Sequence, residues 1–246
     1  MIEINAVSKT YNRAKTKALD AISLTVPDGC IFGFLGPNGA GKTTTLKLIT
    51  GSLQADEGTV LVNGHSTISD DLKAKHAIGF VPDNPELFSR LKGIEYLNFI
   101  ADVYDLGKGA RYAAIERYTT IFEIADVLNA KIASYSRGMK QKLIIAGSLL
   151  PDPQNWLLDE PMVGLDPHAA FKLKELMRER ANAGKCVFFS THVMEVAERV
   201  CDKLAIINKG KILFTGSLDE LRELKGKDTS LENLFLELVD DKEQVS

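Results

Sequence analysis

The stretch GPNGAGKTT, Gly36 to Thr44, constrains this chain more than any other segment in it. It follows the apolar run CIFGFL and passes directly into TTLKLITG. The spacing predicts a buried strand, a glycine-rich turn and a helix, in that order, with Gly51 ending the helix. Gly36, Gly39 and Gly41 let successive N–H groups turn inward, with Pro37, Asn38 and Ala40 between them. Such a cradle suits phosphate oxygens, and the helix N-terminus beyond it favours negative charge. Lys42 places a cation on β- and γ-phosphates, and the hydroxyl of Thr43, followed by Thr44, can ligate Mg²⁺.

Around this turn the texture changes twice. EINAVSKTY and ALDAISLTV alternate as antiparallel strands do, GTVLVNG carries an Asn63–Gly64 turn signal, and IGFVP is a strand closed by Pro82. From about residue 86 to 150, LKGIEYLNFIADVYDL and RYAAIERYTTIFEIADVL repeat apolar residues every three or four positions, which predicts amphipathic helices. Beyond them WLLD, CVFFS and LAIIN alternate with the helical stretches HAAFKLKELMRERANA and VMEVAERVC, and NKGKILFTG reads as a hairpin. SLDELRELKG and SLENLFLELVDD read as two short helices. This order predicts an α/β fold with a mainly parallel core sheet covered on both faces. An antiparallel β-subdomain precedes the sheet, and a helical subdomain is inserted into it. One domain is expected over 1–225, with its core in 1–85 and 151–225 and its helical part near 86–150. A helical tail follows over 226–246.

With 26% charged residues and a formal net charge of −3, the chain lacks the basic excess of a nucleic-acid binder, and no nucleic-acid partner is expected. Arg137, Lys140 and Lys142 read by default as a solvated helix face. Three scattered cysteines without a CxxC pair suggest buried free thiols in a reducing compartment. MIEINAVSKTY is not a leader peptide, and no apolar run approaches the roughly 20 residues a membrane span needs. Work at a membrane would require docking on a partner that spans it.

Two further stretches carry chemistry. NWLLDEP ends a buried strand with adjacent carboxylates: Asp159, placed to hold Mg²⁺, and Glu160, placed to take a proton from an attacking water. Asn155 interrupts the apolar run and is expected to weaken that strand slightly. SYSRGMKQK, residues 134 to 142, opens a helix at a Ser-x-Gly turn and holds no nucleophile, metal cluster or acid/base pair. Ser136 is a good N-cap, yet a cap alone would not call for Gly138.

Phosphate loop, helical block, Ser-x-Gly turn and paired acids, in that order, resemble the ATP-binding cassette (ABC) ATPases, a family of P-loop NTPases. The resemblance covers essentially the whole chain. Tyr135 to Met139 look like the family's LSGGQ signature, with Arg137 in place of a glycine and Met139 in place of the glutamine. It implies a head-to-tail dimer, homo- or heteromeric, in which Ser136, Arg137 and Gly138 face ATP held by a second ABC ATPase subunit. Tyr11 lies where the family stacks an aromatic on adenine, Asp166 in GLD where it carries its D-loop, and His192 where it senses the γ-phosphate. Asp83 stands where glutamine is usual, offering a charged and shorter oxygen toward Mg²⁺. The implied cofactors are ATP and Mg²⁺, and the implied partner is a separate integral membrane permease, on whose cytoplasmic face the subunit would sit. YSRGMKQ, the acid at 83 and the tail look like stand-alone subunits of bacterial export systems. A soluble ABC ATPase of cofactor assembly is the alternative.

Overall fold

Alternation of apolar and polar residues sorts the N-terminal strands into a small antiparallel sheet. β1 (Ile2–Lys9) pairs with β2 (Leu19–Val26) on one side and β4 (Glu57–Val62) on the other, and β5 (His65–Ser66) closes the edge after the Asn63–Gly64 turn. Ile2, Ile4, Ile22, Leu24 and Val60 all point to the buried face. The computed structural model describes residues 1–11, 16–84, 88–226 and 230–243. The expected start of the helical block at 86 lies outside the described residues.

The second sheet has six strands. β3 (Ile31–Leu35) lies near its middle, and the order is β10-β9-β3-β8-β7-β6, with β6 (Ile78–Val81), β7 (Asn155–Asp159), β8 (Cys186–Thr191), β9 (Lys203–Asn208) and β10 (Lys211–Gly216). All neighbours run parallel except β10, which returns antiparallel to β9 through the expected hairpin. Every residue of β3, β7 and β8 is buried, because both faces of the sheet are covered. One face packs on the antiparallel sheet and α1 (Lys42–Ile49), through Phe32, Phe34 and Phe188. The other face packs on α6 (Pro167–Asn182), α7 (Met194–Val200) and the helical block, through Ile31, Trp156, Val187 and Phe189.

The block between β6 and β7 contains α3 (Gly93–Val103), α4 (Lys108–Ile121) and α5 (Arg137–Leu149). The single helix expected over RYAAIERYTTIFEIADVL stops at Ile121. Phe122 and Ile124 are both 1% exposed, and residues two apart cannot share one helix face. A left-handed Glu123 (φ 55°) and a 3₁₀ turn at Ala125–Val127 turn both side chains inward. α2 (Asp71–His76) has no forerunner in the sequence reading, being one short, mostly exposed turn pair. α8 (Leu218–Lys225), capped by Ser217 and Glu220, and α9 (Leu231–Glu243) follow the sheet. Leu231, Leu234 and Leu238 share a core cluster with Ala197 and Val200 of α7, and Arg222 meets Glu198 at 2.8 Å.

β7 is paired on both sides at Asn155, with Ile78 and with Cys186. Asn155 is fully buried, and its amide donates to Ala77 O at 3.1 Å and to Asn63 Oδ1 at 3.2 Å, tying the large sheet to the small one. Cys30 and Cys186 are buried free thiols as expected, and burial pushes them up to about 11 and about 12, so neither is a nucleophile at neutral pH; Cys201 is only partly buried as a residue. Among the described residues no helix is long and apolar enough to cross a membrane.

Candidate functional site

The phosphate-type loop sits at the C-terminal end of β3, where parallel α/β sheets place their ligands. Two glycines are there for space. A Cβ on Gly36 would stand 2.3 Å from Ile207 O, and one on Gly41 (φ +114°) would stand 2.7 Å from Leu19 Cδ2. Pro37, Asn38 and Gly39 form the exposed rim, while Ala40 is buried and its carbonyl accepts from Gly210 N at 3.0 Å. Lys42 is buried, yet its Nζ turns back over the loop, donating to Gly36 O at 2.7 Å and Pro37 O at 3.2 Å. The same ammonium lies 3.3 Å from Glu160 Oε1.

A cleft of about 330 Å³ opens over this loop. Asn38, Gly39, Gly41, Lys42, Thr43 and Thr44 line its floor. Tyr11, Asp83 and Glu160 line its walls. Tyr11 is 42% exposed and its hydroxyl lies 3.2 Å from Thr44 Oγ1, so it is a rim residue and not core packing. Asp83 is exposed just beyond β6.

The two adjacent carboxylates have opposite surroundings. Asp159 is buried at the end of β7, where Thr43 Oγ1 donates to its Oδ2 at 2.9 Å and Ser190 Oγ to its Oδ1 at 2.5 Å. Burial pushes the Asp159 carboxyl above its ordinary range, against the pull of the Ser190 and Thr43 hydroxyls, with the charges of Asp83 and Glu160 adding to the rise. Glu160 has left the strand in a left-handed conformation (φ 47°), rare for a residue with a side chain. Its N–H is held by Ser190 O and Ser190 Oγ, both at 3.2 Å. His192 Nδ1 lies 2.9 Å from Glu160 Oε1, and since a carboxylate only accepts, Nδ1 carries the proton.

Ser190 was missed in the sequence. The signal for it is register: parallel pairing of β7 with β8 sets it beside Asp159. A hydroxyl there donates to one acid and fixes the backbone of the next.

The Ser136 turn stands apart. Ser136 caps α5, accepting from Met139 N at 3.2 Å, but Ser136, Arg137 and Gly138 do not line the cleft over Lys42. Arg137 is exposed, and its stem lies against Gly164. Asp166 caps α6 by accepting from Ala169 N at 2.9 Å, and it too lies outside the cleft lining. Lys142 is not a solvated face: its side chain is 14% exposed and its Nζ lies 2.8 Å from Asp166 Oδ2. That partner holds the Asp166 carboxyl down at about 2.

The donor set at Thr43 and Asp159 is one hydroxyl and one carboxylate, hard oxygens of the kind Mg²⁺ takes beside phosphate oxygens and water. Among the described residues no cluster of three His, Cys, Asp or Glu could hold a metal unaided.

Comparison with known proteins gives a single direction. The family described as ABC transporter matches residues 19–163. An ABC transporter ATP-binding protein of Nostoc is 37% identical over 84% of this chain, but the chain spans only 62% of its length. The ABC-type transporter ATP-binding protein EcsA of Bacillus subtilis is 34% identical over 97% of this chain and 96% of its own. The linearmycin resistance ATP-binding protein LnrL of Bacillus subtilis is 33% identical over 94% of this chain and 74% of its own. A solved ATP-binding subunit of an ABC transporter superposes with a TM-score of 0.92 at 31% identity, covering 97% of this chain and 99% of its own. The cassette MJ0796, as a post-hydrolysis dimer bound to ADP and Pi, superposes with a TM-score of 0.82 at 26% identity, covering 89% of this chain and 99% of its own.

Proposed function

The chain belongs to the ABC transporter family of ATP-binding proteins, and on that footing we propose that it hydrolyses ATP in a head-to-tail dimer to drive a separate membrane permease. One observation carries the reading. Lys42, Thr43, Glu160 and Asp83 converge on a single cleft, while the Ser136 turn opens α5 at its N-terminus and lines none of it. A second copy would bring that turn to the γ-phosphate: the Ser136 hydroxyl, the Gly138 N–H and the positive end of α5. That the MJ0796 cassette is dimeric with ADP and Pi bound supports the pairing of two copies.

Within each site the triphosphate draws Lys42 Nζ from the carbonyls of Gly36 and Pro37 onto phosphate oxygens. Glu160 Oε1 is thereby freed of its cation and accepts a proton from water as the water oxygen bonds to the γ-phosphorus. The bond to the β-bridging oxygen breaks, leaving ADP and phosphate. His192 donates from Nδ1 and keeps the carboxylate aimed. Mg²⁺, when bound, would supply positive charge that offsets the negative charge of the phosphates. Thr43 and Asp159 would hold it, and Asp83 would reach it through water. Tyr11 would stack on the base.

The permease would dock where a groove of about 350 Å³ separates the helical block from the sheet, walled by Phe80, Tyr96, Ile100 and Tyr104. Phe88 and Phe99, largely exposed and edge to face at 5.9 Å, lie on the same block. Export is the direction supported by relatives such as the linearmycin resistance protein. The subunit then works on the inner face of the membrane.

Ser136→Arg tests the sandwich. Hydrolysis by the dimer falls at least about a hundredfold while ATP binding to the monomer stays near wild type, because the turn serves the other chain's nucleotide. A large loss of monomer affinity would show that it serves its own.

A further inference from the structure

Three contacts tie the Ser136 turn to the loop after Glu160, within one chain. Lys142 Nζ meets Asp166 Oδ2 at 2.8 Å. A Cβ on Gly138 would stand 2.8 Å from Gly164 O, so the two backbones touch. The Arg137 stem runs along Gly164, its Cγ and Nε 3.4 Å from where a Cβ would stand there.

Asp166 divides its oxygens. Oδ1 accepts from Ala169 N and caps α6, which packs on the sheet, while Oδ2 takes Lys142 from α5 in the helical block. One carboxylate therefore rivets the two parts together. Its low titration keeps the Asp166 carboxylate charged at neutral pH.

The segment from Glu160 to Asp166 has little slack. Val163 N donates to Glu160 O at 3.1 Å and Leu165 N to Met162 O at 3.3 Å, with Pro161 between the acid and the loop. Glu160 itself holds a backbone state that its surroundings must enforce. These bonds give a displacement at Asp166 a hydrogen-bonded path back to Glu160.

We propose that Lys142 is a positioning residue: it locks the Ser136 turn to the 161–166 loop, so that the turn's arrival on the partner's ATP sets Glu160 of its own chain for reaction. The proposal rests on the head-to-tail dimer. It makes each site's base depend on nucleotide in the other, which is a coupling between two sites through a shared rigid element. A lysine that merely stabilised the fold would change melting and not cooperativity.

Lys142→Met keeps the covered aliphatic stem and removes the cation, and Lys142→Arg keeps the cation. Phosphate release by the full chain is measured against both ATP and protein concentration, alongside thermal melts. Lys142→Met lowers kcat about tenfold and brings the Hill coefficient for ATP toward one, with half-saturation and melting temperature near wild type. Lys142→Arg restores both. Should Lys142→Met melt early, Lys142→Gln is read in the same way, per folded molecule. A Hill coefficient and kcat per folded molecule equal to wild type overturn the relay. A wild-type rate strictly proportional to protein concentration overturns the dimer itself, and the relay with it.

Discussion

His192 Nδ1 and the Lys42 ammonium converge on one oxygen, Glu160 Oε1, at 2.9 and 3.3 Å. On the proposed mechanism this oxygen takes the proton from water. Glu160→Gln keeps the volume and the His192 contact but offers no basic oxygen. Phosphate release then falls about 10²–10⁴-fold, whereas ATP still binds and holds two copies together. Paired phosphate-release and light-scattering measurements check this. Turnover within about threefold of wild type would remove Glu160 from the base's role.

Asp159 is a buried acid whose carboxyl is pushed up by burial, with Asp83 and Glu160 adding to the rise. A raised folded-state value means that the ionised form is disfavoured by folding. The stability this group contributes is therefore present at low pH and lost as pH rises through the folded value. Asp159→Asn should raise the melting temperature of the nucleotide-free protein at pH 7–8, with the gain shrinking toward the acid range. It should also abolish hydrolysis, and Mg²⁺ added with ATP should stabilise the wild type far more than the variant. An Asn variant that melts lower at pH 8 than at pH 5 relative to wild type contradicts the account.

The chemistry that was legible in the sequence is the chemistry written contiguously. Gly36 to Thr44 and Asp159–Glu160 sit in short runs whose residue order already fixes a loop, a helix start and a strand end. Ser190 and Lys142 were not legible as partners because their contacts cross 31 and 24 positions of chain, and only the β7–β8 register and the α5–α6 approach bring them in. The helix break at Phe122 was hidden for a similar reason: its apolar spacing fits a helix, and burial of both Phe122 and Ile124 decides otherwise. Fold class needed only the alternation of strands and helices around one loop.

Asn155 gives the plainest example of a residue whose meaning comes from tertiary contact. Its amide reaches Asn63 Oδ1, 92 residues away, and Ala77 O, inside a fully buried strand. Asn155→Ala should cost about 1–3 kcal/mol, because it strips the amide from a buried junction between the sheets. Thermal or denaturant melts measure the loss. Phosphate release per folded molecule stays at the wild-type value, since Asn155 lies at the opposite end of β7 from Asp159. A fall in that specific rate without a fall in stability would place Asn155 in the site after all.

Tyr11 presents its ring at the mouth of the cleft, with its hydroxyl 3.2 Å from Thr44. If the ring carries the base, Tyr11→Ala removes one base–aromatic stack, worth about 1–3 kcal/mol. Affinity for a fluorescent ATP analogue then falls about five- to a hundredfold, and Tyr11→Phe, which keeps the ring, retains most of it. Stacking uses the π-face that every base offers, so ATP and GTP lose affinity in similar proportion. A loss in the Phe variant as large as in the Ala variant would instead assign the work to the hydroxyl bridge with Thr44. Equal affinity across all three proteins would leave the base bound by something other than Tyr11.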